Sequence, residues 1–189
     1  IDPQAIHAAR ESMRAQLARG LHADWVTAWE QNSQTGGYRP DPVSCGRRAL
    51  ANLSLSMLVL DSVAQSETVW QGKALQRFKD AGNMTDRLGA LTALVHGRSS
   101  LAAAALEKFH AGFSGEALVI DKGLALQAAA PEHAGEVFAR VQALSRHPDF
   151  SLRNPNRARS LLMALTLLNP GAFHRADGAG YAFWADKVT

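Results

Sequence analysis

Four of the seven prolines in this 189-residue chain follow an aspartate or an asparagine: Asp2-Pro3, Asp41-Pro42, Asn154-Pro155 and Asn169-Pro170. Each pair marks a helix start. The Asp or Asn side chain accepts a hydrogen bond from a first-turn N–H that has no partner inside the helix. Proline at the next position lacks only an N–H that would go unused there. The residue before proline is driven out of the helical region, a conformation that Asp and Asn tolerate. Between these starts apolar residues recur at helical spacing, and no stretch alternates convincingly as a strand. Alanine is abundant and aromatics make up only 7%, a balance that favours helix over sheet. The chain is therefore expected to be all-α.

The first helix is expected over Pro3–Arg19 with Gly20 as its stop. The second covers Leu21–Gln31, with Trp25 and Trp29 on one face. Asn32–Arg39, with Gly36-Gly37, reads as a loop. From Pro42, the stripe Ala49, Leu50, Leu53, Met57 and Leu60 is expected to form the apolar face of a helix. Ser66 is expected to cap a helix that buries Trp70, Ala74, Phe78 and Ala81, and Thr85 to cap the next, with Leu88, Leu91 and Val95 on its stripe. Ser99 or Ser100 opens a helix carrying Leu101, Ala105 and Phe109. Glu116–Ala129 and Glu132–Leu144 follow, the latter started by Pro131, and His147-Pro148 breaks the run. The Asn154 helix is expected to bury Ala158, Leu161, Leu162, Leu165 and Leu168.

This makes about ten short helices with short links, which favours antiparallel neighbours. Small Ala faces allow close packing, so the expected architecture is a superhelical stack of antiparallel helix pairs (an α-α superhelix) rather than a closed bundle. No clean sequence period occurs, which argues against a consensus repeat of the tetratricopeptide type. Residues 1–189 are expected as a single helical domain, a length that fits the roughly 100–200 residues typical of one.

The net charge is +3, too small a field to suggest nucleic-acid binding. No apolar run approaches the roughly 20 residues needed to span a bilayer, so no membrane partner is expected. The single cysteine, Cys45, can form neither an intrachain disulfide nor a thiolate zinc site, and no signal-peptide pattern opens the chain. A cytoplasmic location is expected. The chain begins Ile1-Asp2-Pro3 and ends in the apolar-periodic stretch Phe183–Thr189 with no cap. Both ends read as cut, so a fragment of a longer polypeptide is expected.

No His-Glu-x-x-His, phosphate loop or Gly-x-Ser-x-Gly occurs. The seven histidines are scattered, with no pair three or four residues apart to aim two imidazoles at one metal. His133 and Glu136 read as first-turn polarity, Gly178-Ala179-Gly180 as a turn before the last helix, and Cys45 as a buried or spectator thiol. Two basic clusters remain. Arg47-Arg48 lies at the start of the Pro42 helix. Arg153, Arg157 and Arg159 surround the Asn154-Pro155 cap. On a helix, Arg157 and Arg159 flank the apolar stripe from opposite sides, at about 100° per residue. Their guanidinium forks could hold a carboxylate, pair with acidic groups of a neighbouring domain, or sit solvated.

The string Leu152-Arg153-Asn154-Pro155-Asn156-Arg157-Ala158-Arg159-Ser160-Leu161 resembles a motif in the C-terminal domain of bacterial aminopeptidase N, the alanyl aminopeptidase branch of the gluzincin zinc peptidases. The resemblance continues through Asn169-Pro170-Gly171-Ala172-Phe173-His174, Asp177-Gly178 and Gly180-Tyr181. It recurs at Asn83-Met84-Thr85-Asp86 with Ala90-Leu91, and at Ile1-Asp2-Pro3. These blocks stand in the family's order across essentially the whole chain. The resemblance implies a helical domain that caps the catalytic domain of the same polypeptide and walls a chamber for peptide substrates. The parent enzyme would be a zinc-dependent hydrolase that removes N-terminal residues from peptides. Its zinc would lie in the catalytic domain, and this chain would carry no catalytic residue, no metal ligand and no activity alone. Arg159 is then the first candidate to meet a substrate carboxylate or a domain interface, and Arg157 the second. The competing readings are a free-standing helical-repeat scaffold for protein partners and, weaker, a nucleic-acid binder using the arginines.

Overall fold

The structure, a computed structural model, describes residues 1–34 and 36–188. Thr35, within the loop expected at Asn32–Arg39, and Thr189, the last residue, lie outside the described residues. The described residues are helical throughout, with no strand among them. The helices are α1 (Pro3–Gly20), α2 (His22–Asn32), α3 (Pro42–Ala64), α4 (Val69–Asp80), α5 (Met84–His96), α6 (Ala102–Gly112), α7 (Ala117–Ala128) and α8 (Glu136–Leu144). They are followed by α9 (Pro155–Ala158), a π-helical turn (Arg159–Met163), α10 (Ala164–Leu168), α11 (Pro170–Phe173) and α12 (Ala179–Val188). Because α9, the π turn and α10 run on without a break, the described residues form eleven continuous helices. No helix among them is long and apolar enough to cross a membrane.

All four Asx-Pro starts are capped as their chemistry requires. Asp2 accepts from the Gln4 N–H at 2.9 Å and Asp41 from Ser44 at 3.0 Å. Asn154 accepts from Asn156 at 3.1 Å and Arg157 at 3.2 Å, and Asn169 from Ala172 at 3.1 Å. The Ser44 amide and hydroxyl hold the Asp41 carboxyl below the usual carboxylate range.

Three other expected starts are corrected. Ser66 does not open α4; it takes φ +59° and closes α3. Its N–H reaches the Val63 carbonyl at 3.1 Å and the Glu67 N–H reaches Ser62 at 2.8 Å, the paired bonds of a Schellman ending. Thr85 is not the cap of α5. Asn83 is, accepting from the Asp86 N–H at 2.9 Å and donating to the Asp86 carboxylate at 2.8 Å. Pro131 does not start α8. Residues 131–135 are non-helical, with Ala134 at φ +51° and Gly135 at φ +85°, and α8 begins at Glu136. The Glu132 carboxylate reaches forward to the N–H groups of Val137 and Phe138, at 3.3 and 2.9 Å. It satisfies the helix start from outside.

The chain divides into two compact units, Ser12–Glu107 and Ile1–Glu11 with Lys108–Thr189. In the first, α3 packs against α2, α4 and α5, and α4 against α5. Its core holds Ala51, Leu55, Leu58, Trp70, Phe78 and Leu91. Trp70, Ala74, Phe78 and Ala81 are buried as expected. The face expected of α3 is not the buried one. Arg48, Ala51, Leu55, Leu58, Val59 and Ser62 point inward, whereas Leu50 and Leu53 are exposed. This helix is apolar on more than one side, so spacing alone could not choose between them.

In the second unit, α7 packs on the π turn, α8 and α10, and α11 on α8, α10 and α12. Leu161, Leu162 and Leu165 are buried as expected; Leu168 is 62% exposed. The residue after it, Asn169, is only 2% exposed and donates to the carbonyls of Ala128 and Ala130 at 2.9 and 2.6 Å. Thus Asn169 holds the end of α7 with its amide nitrogen while its oxygen caps α11. Gly178 supplies the left-handed turn, φ +72°, that leads into α12. Gly180 lies so close to α11 that a Cβ there would stand 2.0 Å from the Phe173 carbonyl oxygen. The Gly178–Gly180 segment is therefore the turn that the sequence suggested, and both glycines have a steric reason.

Candidate functional site

The candidate site is the start of the Asn154 helix and what packs on it. Asn154 fixes the first turn, and that turn sends Arg157 and Arg159 in different directions. Arg157 is turned inward, 7% exposed. Its Nε donates to the Asp121 carboxylate on α7 at 2.5 Å. One terminal nitrogen donates to the Asp149 carbonyl, and the other to the Ala117 carbonyl at 3.4 Å. Asp121 is itself buried, 8% exposed. The pair is thus a buried ionic brace joining α9, α7 and the loop before α9. Its donors are committed, so Arg157, expected as a second candidate for a substrate or interface, is placed as a structural residue.

Arg159 stands at the first position of the π turn. It is exposed, and its side chain has no hydrogen-bond or ion-pair partner among the described residues. The other basic cluster divides in the same way. Arg48 is buried over the Tyr38 ring, 4.6 Å from its centroid, and donates to Cys45 Sγ at 3.1 Å, while Arg47 is exposed. Cys45, expected buried or a spectator, is exposed.

The brace also shapes a cluster that sequence spacing did not show. His147, Pro148, Asp149 and Phe150 form a tight turn closed by the Phe150 N–H on the His147 carbonyl at 2.9 Å. Arg157 grips the Asp149 carbonyl from beneath. His110, in the last turn of α6, places its Nε2 2.5 Å from the Asp149 Oδ2. His147 Nδ1 lies 3.6 Å from the same oxygen, and the two imidazoles stand edge to face at 5.5 Å. The hydrogen bond from His110 holds the Asp149 carboxyl below the usual carboxylate range, against a smaller opposing effect of burial. These residues were missed because their donors lie 39 positions apart and on two elements. Only the His147-Pro148 pair was visible, and it reads as a breaker. His133 and Glu136 are joined only by a backbone hydrogen bond, from the Glu136 N–H to the His133 carbonyl.

A cleft of about 510 Å³ opens beside Gln4, His7, Glu132, Gly135, Arg175 and Asp177. Its charged groups are already paired: Arg175 holds Asp177 at 2.7 Å and lies over the Phe138 ring at 5.1 Å. The residues do not fit the hydrolytic zinc set that the family resemblance implies for the parent enzyme. The sequence contains no His-Glu-x-x-His, and the described His/Asp cluster includes no glutamate that could serve as a general base.

A family model described as "Domain of unknown function (DUF3458_C) ARM repeats" matches residues 1–189. The chain is 38% identical over 188 residues to a Caulobacter vibrioides protein named aminopeptidase N, covering 99% of this chain and 21% of that protein. It is 34% identical over 189 residues to the Escherichia coli protein of the same name, covering 100% of this chain and 21% of that protein. A crystal structure of Legionella pneumophila aminopeptidase A in complex with aspartic acid is similar with a TM-score of 0.78 and 29% identity. That likeness covers 94% of this chain and 21% of the other. The chain therefore spans about a fifth of the length of the curated relatives it matches.

Proposed function

The chain belongs to the DUF3458_C family of ARM-repeat domains, and from that membership we propose that it is the C-terminal accessory domain of a zinc-dependent aminopeptidase N. In this reading it caps the catalytic domain of its own cytoplasmic polypeptide and walls the chamber that receives peptides. It contributes no catalytic residue. The observation that carries the proposal is coverage: proteins named aminopeptidase N match the chain from end to end, while the chain accounts for 21% of their length.

Two features of the surface support it. Val43, Leu50 and Leu53 are exposed along α3, and Met163, Leu167 and Leu168 along the Asn154 run. Apolar faces of this kind suit packing against a further domain. Arg159 offers an uncommitted guanidinium fork at a π turn, and π turns inside α-helices frequently mark functional positions. Such a fork binds a carboxylate through two parallel hydrogen bonds. Arg159 is therefore the residue we assign to the free C-terminal carboxylate of a short peptide; Arg157 is already committed to Asp121.

The reading is tested in the intact enzyme. Arg159→Ala is expected to raise KM for short peptides more than for amide-dye substrates, which lack a carboxylate. Equal effects on both remove Arg159 from that role. The accessory-domain reading itself fails if the reading frame that encodes this chain has no His-Glu-x-x-His upstream of Ile1.

A further inference from the structure

We propose that His110, His147 and Asp149 form a binding site for one first-row divalent cation of the zinc type. The three donor atoms lie within 4.8 Å of one another. Zinc binds imidazole nitrogen and carboxylate oxygen at about 2.0–2.2 Å, which places neighbouring donors of a tetrahedron about 3.4 Å apart. His147 Nδ1 and Asp149 Oδ2, at 3.6 Å, already stand at that spacing. His110 Nε2 and Asp149 Oδ2, at 2.5 Å, must separate by about 1 Å to admit the ion. Both imidazoles are substantially exposed, 49% and 44%, so small side-chain rotations suffice.

The protonation pattern suits ligation. His147 Nδ1 accepts from the Asp149 N–H at 3.2 Å, so this nitrogen carries no proton, and its one lone pair must turn from that N–H to the ion on ligation. Between His110 and Asp149 lies a shared hydrogen. A cation takes the place of that hydrogen, and a ligating His110 carries its one ring proton on Nδ1.

The support behind the donors is in place as well. Pro148 at the second position of the 147–150 turn favours the conformation that sets His147 and Asp149 side by side. Arg157 fixes the backbone of that turn at the Asp149 carbonyl and is itself fixed by Asp121. Two ligands are thus set by one braced turn, and the third comes from the end of α6. Two imidazoles with one carboxylate select zinc, nickel or copper over magnesium and calcium, which prefer all-oxygen shells. Three protein ligands leave room for water on the ion. The bound ion would clip α6 to the turn, closing a loop between residues 39 apart in the chain.

The test uses the 189-residue chain, freed of metal with a chelator and titrated with Zn²⁺ alone by calorimetry. One equivalent is expected to bind and to raise the melting temperature, while Mg²⁺ at the same concentration does neither. His110→Ala and His147→Ala are each expected to weaken Zn²⁺ binding by about tenfold or more, and His133→Ala to leave it unchanged. Circular dichroism checks that these surface variants remain folded. Absence of stoichiometric binding by the unmodified chain overturns the proposal. So does binding that survives both the His110 and the His147 substitutions, since the ion would then sit elsewhere.

Discussion

Replacing Arg157 separates a structural arginine from one that waits for a ligand. Removing it leaves Asp121, 8% exposed, as a buried charge without a counter-charge. It also strips a donor from the carbonyls of Asp149 and Ala117. Breaking a buried ion pair from one side costs about 3–5 kcal/mol, a large part of the roughly 5–15 kcal/mol that holds a domain folded. Arg157→Ala is therefore expected to lower stability by about 3–5 kcal/mol in urea unfolding followed at 222 nm. Arg159→Ala, two residues along and without a partner, is expected to stay within about 0.5 kcal/mol. Joint replacement, Asp121→Leu with Arg157→Met, removes both charges and fills the space. It should cost far less than either partner's loss alone, because buried pairs are often neutral against apolar residues of similar volume. The cycle is then strongly non-additive. Equal and small effects for Arg157→Ala and Arg159→Ala would refute the brace and return Arg157 to the ligand-binding candidates.

Further expectations concern two glycines and one paired carboxylate. Gly180→Ala places a methyl group against the Phe173 carbonyl and is expected to destabilise by about 1–3 kcal/mol. Gly72→Ala on α4, where nothing stands within 4 Å, is expected to stabilise by up to about 1 kcal/mol through helix propensity; the same sign for both would sink the steric argument. The Arg175 side chain and then the Ala179 N–H hold the Asp177 carboxyl down to about 2, below the roughly 3.9 of a free aspartate. A depressed carboxylate stabilises the fold fully above its unfolded value, and that contribution fades as pH falls from about 4 through about 2. A carbon-detected NMR titration should find the Asp177 midpoint near 2; an unshifted midpoint contradicts the pairing.

The helices could be read from the chain wherever their boundary chemistry is local. Asp41, Asn154 and Asn169 announce their caps because donor and acceptor lie two or three residues apart. Where the cap arrives from a distance the reading failed. Glu132 reaches five and six residues forward, so the proline before it was mistaken for the helix start. Ser66 was assigned to the wrong helix because a serine suits a start, while its left-handed backbone ends the one before. The site was legible only as arginines near a cap. Which of them is buried depends on Asp121, 36 residues away, and no spacing rule carries that information. The His110–Asp149 contact was hidden for the same reason, since α6 and the 147–150 turn meet only in the folded chain.

The wide turn at Arg159–Met163 decides which residues of the Asn154 run face inward. Positions 157, 161, 165 and 169 are buried, each four residues after the last. Repeated steps of four drift around a regular α-helix by about 40° each, since four residues turn through about 400°. The wider i→i+5 turn takes up part of that drift, so the inward line ends on Asn169 rather than Leu168. The turn thus works as a phase shifter. Were the same residues wound as a regular α-helix, everything downstream would be rotated by about 100°. An amide that ties two helices together would swing toward water, and a leucine would enter where two carbonyls await a donor. This short segment should therefore tolerate the loss of one residue, after which regular winding keeps the downstream phase, far better than the gain of one.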